Sequence, residues 1–189
     1  MANSMLRAIY KMIRKVGVFL RIFEDENLLI TRNNLLNEMN FLSYEEFNYI
    51  PENNNWSIAH VCQHLALTEE ISAKAIAYGL KKSTVSSVPK KMDYILDRSN
   101  KREAPEIVKP QLNPTETLQI IEQLNHSRNV LKSVLNTVED PSMLAEKSVK
   151  HPVLGELPLN QWVEFIYLHE QRHLEQIKEI KSHYQSMVP

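Results

Sequence analysis

The chain has 189 residues, 43% of them apolar, a formal net charge of −1 and one cysteine, Cys62. This length and composition are typical of one globular domain with a sizeable core, and the near-neutral charge gives no field that would attract nucleic acid. One cysteine excludes an internal disulfide framework and a cysteine-rich zinc site. No run of about 18 uncharged apolar residues occurs, so no transmembrane segment is predicted and a cytoplasmic location is expected.

Residues 1–26 are predicted to form a basic amphipathic N-terminal extension. Between positions 1 and 22 there are five lysines and arginines and no acid, and apolar residues recur every three or four positions, as in a helix. Such a segment either acts as a membrane-surface or targeting helix, or packs on the main domain or frays from it. The second interpretation is preferred, because the longest apolar run is too short for a signal peptide.

The main domain, residues 27–185, is predicted to contain four long helices. In each of them apolar residues recur at three- and four-residue spacings. Ser57 is a candidate cap or first-turn residue of the second helix, and Asn113 followed by Pro114 is typical of the start of the third. The helices are expected at about 28–42, 56–80, 114–138 and 159–184.

The connections between these helices define the predicted topology. Residues 81–113 hold three prolines and few apolar residues, which indicates a long crossover with a short helical piece near DYILDRS. A capped turn is expected at 43–47 and loops at 50–55 and 151–158. The predicted fold class is therefore all-α: a four-helix bundle with one long crossover connection.

Four of the histidines form two pairs with a spacing of four residues, His60 with His64 and His169 with His173. On a helix this spacing places both imidazoles on one face, one turn apart, where they can reach the same metal ion. Two nitrogens from one helix and one or two from another would form an open catalytic site. The alternative is four surface or hydrogen-bonded histidines, since spacing alone does not show that the pairs face each other.

His169, Glu170 and His173 also match the zinc-protease signature H-E-x-x-H. The extended signature needs a glycine at 176 and a histidine at 179, where this chain has Gln176 and Glu179. A protease is therefore rejected. Glu170 is left as a group that supports the ligands or acts as an acid–base catalyst, although a solvent-facing helix glutamate is the preferred interpretation.

Two segments, WSIAHVCQHL at 56–65 and HPVLGELPLNQWVEFIYLHEQRHLEQI at 151–177, resemble the DinB-like (YfiT-like) superfamily of metal-binding four-helix bundles. The resemblance implies a divalent ion, zinc or nickel, on His64, His169 and His173. His60 lies outside the family pattern. It is interpreted as a hydrogen-bonding neighbour of the ligands or a residue of the first helical turns, with a fourth ligand as the remaining option.

The resemblance also implies a function and a set of partners. The first reading is a metal-dependent enzyme that transfers a low-molecular-weight thiol, such as bacillithiol, to an electrophilic small molecule. A metal-dependent hydrolase that uses a metal-bound water is the alternative, and a non-catalytic metal-binding stress-response bundle is the second alternative. A homodimer is expected by analogy with the family.

Three further side chains are candidates for catalysis: His151, Glu170 and Gln176. His151 precedes the last helix and could reach the mouth of the pocket, although a contact that orders the loop is equally compatible with its position. Gln176 lies one turn after His173 and could orient a ligand or substrate. Cys62 lies about 160° around the helix from His64, so a small buried residue is expected there rather than a ligand.

Overall fold

The computed structural model describes residues 25–52, 56–82, 87–99 and 103–187. All but the last two residues of the predicted extension, 1–26, lie outside these ranges. The described elements in chain order are α1 Glu26–Met39, α2 Tyr44–Asn48, α3 Ile58–Lys81, α4 Thr117–Leu135, α5 Met143–Glu146, β1 Ser148–His151, β2 Gly155–Pro158 and α6 Leu159–Gln185. Two short 3₁₀ turns, Asp93–Ile95 and Glu106–Val108, lie in the crossover.

Four long helices form the bundle, as predicted. Helix α3 packs against α4 and α6, and α1 packs against α6. The predicted helical piece in the crossover is the 3₁₀ turn at Asp93–Ile95, and the predicted turn at 43–47 is the short helix α2, capped by Ser43. A four-helix bundle with one long crossover is confirmed.

Ser57 begins α3 with a reciprocal pair of hydrogen bonds. The backbone N–H of His60 donates to Ser57 Oγ at 3.3 Å, and the backbone N–H of Ser57 donates to His60 Nδ1 at 3.2 Å. Both of these donors would otherwise lack a partner at the helix terminus. The prediction that Ser57 is a cap is confirmed, and His60 has a specific structural role.

The predicted start of α4 is wrong. The helix begins at Thr117 with Glu116 in the cap position and ends at Leu135, so Asn113 does not cap it. The side chain of Asn48 accepts from the backbone N–H of Thr115 at 2.9 Å and donates to the Thr115 carbonyl at 3.2 Å. These two bonds engage the backbone groups of Thr115, which consequently stay outside the helix.

The predicted loop at 151–158 is part of a two-stranded antiparallel hairpin, β1 with β2. Val149 pairs with Leu157 and His151 with Gly155, and Gly155 has a φ of 74° in the turn. The indole Nε1–H of Trp162 donates to the Val149 carbonyl at 3.2 Å, and Leu157 is fully buried. The strands are four residues long, which is too short for a clear alternation, and contacts with α6 hold them in place.

Each bundle helix carries one buried charge between two apolar stretches: Arg32 on α1, Glu69 on α3, Arg128 on α4 and Glu170 on α6. We call these four residues the ionic quartet. On one side of them the four helices contribute Leu28, Ala73, Leu131 and Ile166 to an apolar cluster. On the other side they contribute Leu35, Leu65, Leu124 and Leu174 to a second cluster. The quartet is thus a charged layer inside an apolar core.

The quartet is closed by four ion pairs. Arg32 donates from Nε to Glu170 Oε1 at 2.6 Å and from Nη2 to Glu69 Oε2 at 2.8 Å. Arg128 donates from Nε to Glu69 Oε1 at 2.5 Å and from Nη2 to Glu170 Oε2 at 3.2 Å. Every charge therefore has two opposite partners, which is the condition for burying it without a large penalty. Two hydroxyls and two carbonyls complete the layer: Thr31, Ser127, Leu28 and Leu124.

Gly79→Ala should destabilise the protein, because Gly79 lies where α3 closely approaches α6 and the hairpin. An added Cβ would lie 2.6 Å from Leu159 Cδ2 and 2.6 Å from Val149 Cγ2. We expect urea unfolding to show a loss of about 1–3 kcal/mol, typical of overpacking. At an open helix position the same change would stabilise by about 1 kcal/mol. A smaller loss in a Leu159→Ala background is the control, and a more stable Gly79→Ala protein would contradict the close packing.

Candidate metal centre

His64 on α3 and His169 and His173 on α6 form one cluster, in which one ring nitrogen of each lies within 4.8 Å of the others. His169 Nε2 lies 3.4 Å from His64 Nε2 and 3.1 Å from His173 Nε2. The two helices therefore bring together three Nε2 atoms from positions 105 residues apart in the chain.

Hydrogen bonds fix two of these rings through the opposite nitrogen. His64 Nδ1 lies 2.8 Å from the Val108 carbonyl, and His173 Nδ1 lies 2.8 Å from Gln176 Oε1. A carbonyl and an amide oxygen accept only, so Nδ1 carries the proton in each ring. In these two rings Nε2 is then unprotonated and directs its lone pair at the cluster. This is the arrangement found in metal-ligating histidines.

Aromatic rings pack against the cluster. The Trp56 ring lies 4.9 Å from the His64 ring, and the Phe165 ring is stacked 5.1 Å from the His169 ring. Burial lowers the pKa of His64 and, together with the charge of neighbouring histidines, places the pKa of His169 well below its ordinary value. Burial also lowers the pKa of His173 to about 3. All three imidazoles are consequently neutral at pH 7, as metal ligands must be.

The donor set fits a divalent transition metal. Two nitrogens bound tetrahedrally at 2.0–2.1 Å from zinc lie about 3.3 Å apart. Two of the three separations, 3.1 and 3.4 Å, bracket that value, and all three donor atoms lie within 4.8 Å of one another. Three imidazoles suit zinc or nickel and leave a position open for a further ligand. The neutral nitrogens also leave the charge of such an ion uncompensated.

His60 does not join the cluster. Its Nδ1 accepts the Ser57 N–H in the capping box, and its buried Nε2 has no hydrogen-bond partner among the described residues. Although His60 lies one turn before His64, the helix start engages it instead. The structure therefore gives a role in the first turn of α3, one of the two preferred interpretations.

Glu170 is not the solvent-facing glutamate preferred from the sequence, and that interpretation is wrong. Its side chain is 3% exposed and its carboxylate binds Arg32, Arg128 and Thr31 in the ionic quartet. Glu170 thus lies between the two histidines of the H-E-x-x-H match, and its carboxylate is bonded into the quartet. Two guanidinium groups and a hydroxyl hold this carboxylate, which lines the same small cavity as His169.

His151 ends β1 and lies beside the cluster, with Phe165 between it and His169. Its ring lies 4.6 Å from the Phe165 ring and 4.8 Å from the Trp162 ring. His151 Nδ1 accepts the backbone N–H groups of Val153 and Leu154, each at 3.1 Å. The ring thus orders the hairpin turn, and its proton is on Nε2.

The crossover contributes groups that sequence analysis missed. The Val108 carbonyl orients His64, and the guanidinium of Arg172 on α6 donates to the Ile95 carbonyl at 2.9 Å and to the Asp97 carbonyl. A backbone carbonyl has no sequence signature, because every residue carries one. For the contact of Arg172 with the crossover carbonyls, the sequence offered one indication, which is that Arg172 lies between His169 and His173 in the chain.

A smaller prediction, that Cys62 is a buried residue, holds. Cys62 is fully buried, its Sγ lies 3.7 Å from Met39 Sδ, and burial raises the pKa of its thiol, so it is an inert core residue. Trp162 is 2% exposed and packs in the core beside the hairpin.

Comparisons with known proteins agree with this geometry. A model of the DinB superfamily matches residues 27–177, which is more than half of the chain and includes all three cluster histidines. The chain belongs to the DinB superfamily. The uncharacterized protein YuaE of Bacillus subtilis (strain 168) is 33% identical over 146 residues, which cover 77% of this chain and 89% of YuaE.

The fold comparison leads to the same architecture. The crystal structure of TT2238, a four-helix bundle protein, superimposes with a TM-score of 0.57 over 82% of this chain and 94% of that chain. At 17% identity this likeness concerns the fold alone. In the part of the chain that the structure describes, no helix has the length and apolar character needed to cross a membrane.

Glu170→Gln should destabilise the protein strongly, because it removes one charge from the ionic quartet and leaves Arg32 and Arg128 partly uncompensated. We expect a loss of about 3–5 kcal/mol in urea unfolding, as for other broken buried ion pairs. The matched control is Glu175→Gln on the same helix, which removes an exposed pair with Lys178 and should change stability by less than about 1 kcal/mol. Unchanged stability with loss of bound metal would instead place Glu170 in the metal centre.

His151 should make the metal-free protein less stable as the pH falls. Burial, followed by the charge of Lys90, lowers the pKa of His151 from 6.5 to about 4. Between those values the unfolded chain binds the proton and the folded chain does not, so stability falls with decreasing pH by up to about 1.4 kcal/mol per unit. Urea unfolding with a chelator at pH 4.5–7.5 measures this slope.

His151→Asn should reduce that slope, because asparagine can accept the same backbone N–H groups but does not titrate. His126→Asn, at an exposed position on α4, is the matched control and should retain the slope. Equal slopes for the His151→Asn protein and the unaltered protein would contradict the prediction.

Proposed function

We propose that this protein is a metal-dependent enzyme that holds a divalent ion, zinc or nickel, on His64, His169 and His173. The observation that carries the proposal is the convergence of three imidazole nitrogens within 4.8 Å, with His169 Nε2 at 3.4 Å from that of His64 and 3.1 Å from that of His173. Val108 and Gln176 orient two of the rings through Nδ1. Members of the DinB superfamily are generally metal-binding, which supports the same assignment. Gln176 is then a positioning residue for His173.

Within this proposal the reaction is the transfer of a low-molecular-weight thiol, such as bacillithiol, to an electrophilic small molecule. An ion on three neutral ligands lowers the pKa of a bound thiol and favours the thiolate. The sulfur then forms a bond to the electrophilic carbon, the leaving group departs with the bonding electron pair, and the thiol proton passes to solvent. The positive charge of Arg172, which lies near enough to lower the pKa of His173, favours an anionic sulfur ligand, whereas the charge of Arg98 is paired with Glu179.

His151 is proposed to donate a hydrogen bond to the substrate. Two backbone N–H groups hold its Nδ1 as an acceptor, so the proton of the ring is on Nε2, which is its donor atom. A pKa of about 4 keeps this imidazole neutral at pH 7, where it donates a hydrogen bond rather than carrying a charge. A neutral donor suits an electrophile with an oxygen acceptor near its reacting carbon.

Hydrolysis is less favoured because the position of Glu170 removes the usual carboxylate base. In H-E-x-x-H enzymes the glutamate activates water, whereas here it is engaged by Arg32 and Arg128 in the ionic quartet. In the non-catalytic alternative the ion stabilises the bundle, and metal binding raises thermal stability without any turnover. A small-molecule substrate, a cytoplasmic location and a homodimer remain predictions from the family and the sequence.

Metal content and thiol turnover test the proposal together. The protein is purified without a polyhistidine tag, its metals are measured by plasma mass spectrometry, and the zinc-loaded form is given bacillithiol with 1-chloro-2,4-dinitrobenzene. We expect about one zinc or nickel per chain and metal-dependent thioether formation. Both should be lost in His64→Ala/His169→Ala, whereas His126→Ala on the exposed face of α4 should retain both.

Each other outcome identifies a different function. Metal-dependent cleavage of p-nitrophenyl acetate without any thiol would establish the hydrolase instead. Bound metal that raises thermal stability, with no turnover of either substrate class, would establish the non-catalytic bundle. No metal in the unaltered protein, even after reconstitution with zinc or nickel, would overturn the triad itself.

A further inference from the structure

A small cavity separates the metal centre from the ionic quartet. It leaves about 10 Å³ for the centre of a water molecule, near the lower limit for holding one. His169 lines one side and three quartet residues line the other. The full lining is Arg32, Leu65, Thr68, Glu69, Ile166, His169 and Glu170. The lining includes five polar or ionisable side chains, although most of the surface that faces the cavity is apolar, and the volume is at the lower limit for a single water.

Thr68 in this lining has a buried hydroxyl, Oγ1, whose hydrogen bonding is unsatisfied among the described residues. A buried hydroxyl without a partner costs about 1–3 kcal/mol, and such groups in native proteins are commonly satisfied by an internal water. Since Thr68 lies one turn after His64 on α3, its hydroxyl belongs to the helix that supplies the first ligand.

His169 differs from the other two cluster histidines. The second nitrogen of His64 is fixed by the Val108 carbonyl and that of His173 by Gln176. His169 directs its Nε2 at both of them, and its ring borders the cavity. A metal-ligating histidine almost always donates its other N–H to a carboxylate, a carbonyl or a water, because that bond fixes the tautomer and the ring orientation.

We propose that the cavity binds one structural water that accepts a hydrogen bond from His169 Nδ1–H and bonds to Thr68 Oγ1. Its second lone pair accepts from the Thr68 hydroxyl, and its two hydrogens are donated to the lining carboxylates, Glu69 and Glu170. Thr68 is then a positioning residue for His169, and the water links the ionic quartet to the metal centre. The positioning role of Thr68 rests on the proposed metal function. The water itself is inferred from the cavity and its lining alone.

Thr68→Val tests the positioning role, because valine keeps the shape of threonine and removes the hydroxyl. Zinc affinity is measured by competition with a chromophoric chelator. We expect zinc to bind about 10–100-fold more weakly, the usual effect of removing a partner of a ligating histidine. Thr68→Ser should restore most of the affinity. The matched control is Thr137→Val, which removes a hydroxyl from an exposed position beyond α4 and should leave the affinity unchanged.

A high-resolution crystal structure tests the water directly, with and without zinc. Density for one water within hydrogen-bond distance of Thr68 Oγ1 and His169 Nδ1 is the expected result, together with a ¹⁵N NMR signal for protonated His169 Nδ1. A dry cavity, or unchanged zinc affinity in Thr68→Val, would overturn the inference. If the protein binds no zinc but its crystal shows the water in the cavity, the proposed metal function fails and the proposed water site stands.

Discussion

The four-way ion pairing of Arg32, Glu69, Arg128 and Glu170 is the constraint on which the rest of the structure depends. Each bundle helix contributes one of these charges, and each carboxylate meets both guanidinium groups. Rotating one helix or shifting it by a turn would leave buried charges unpaired, which is far more costly than exchanging one apolar contact for another. Apolar clusters on either side supply the burial, and the charged layer specifies how the helices are aligned.

That alignment also positions the histidine cluster. Glu170 is bonded into the quartet, and the residue before it, His169, faces the cluster from the adjacent side of α6. His173 follows one turn later, and His64 lies little more than one turn before Glu69 on α3. Because the ion pairs of the quartet fix both helices, the three Nε2 atoms are brought together without a bound ligand. In a site assembled in this way the side chains are already ordered, so binding a ligand there costs little conformational entropy.

The crossover completes the centre from outside the bundle. The Val108 carbonyl orients His64, and carbonyls near the other 3₁₀ turn receive the guanidinium of Arg172. Burial beneath this segment and against Trp56 and Phe165 keeps the imidazoles neutral. The three imidazoles are therefore held neutral, with their Nε2 atoms close together, between the helices and the crossover.

The sequence by itself determined the four helices, the long crossover, the cap at Ser57 and the two histidine pairs, because these depend on local periodicity and on residue types next to one another. The spacing of the histidines could not by itself determine which of them meet, although the family resemblance implied His64, His169 and His173. His60 and His64 have the same spacing signal, and only the tertiary structure assigned one to the capping box and the other to the cluster. The sequence likewise could not show that Glu170 faces two arginines rather than solvent, since its partners lie 138 and 42 residues away. Contacts between distant segments decide burial, pairing and tautomer, and local sequence carries no record of them.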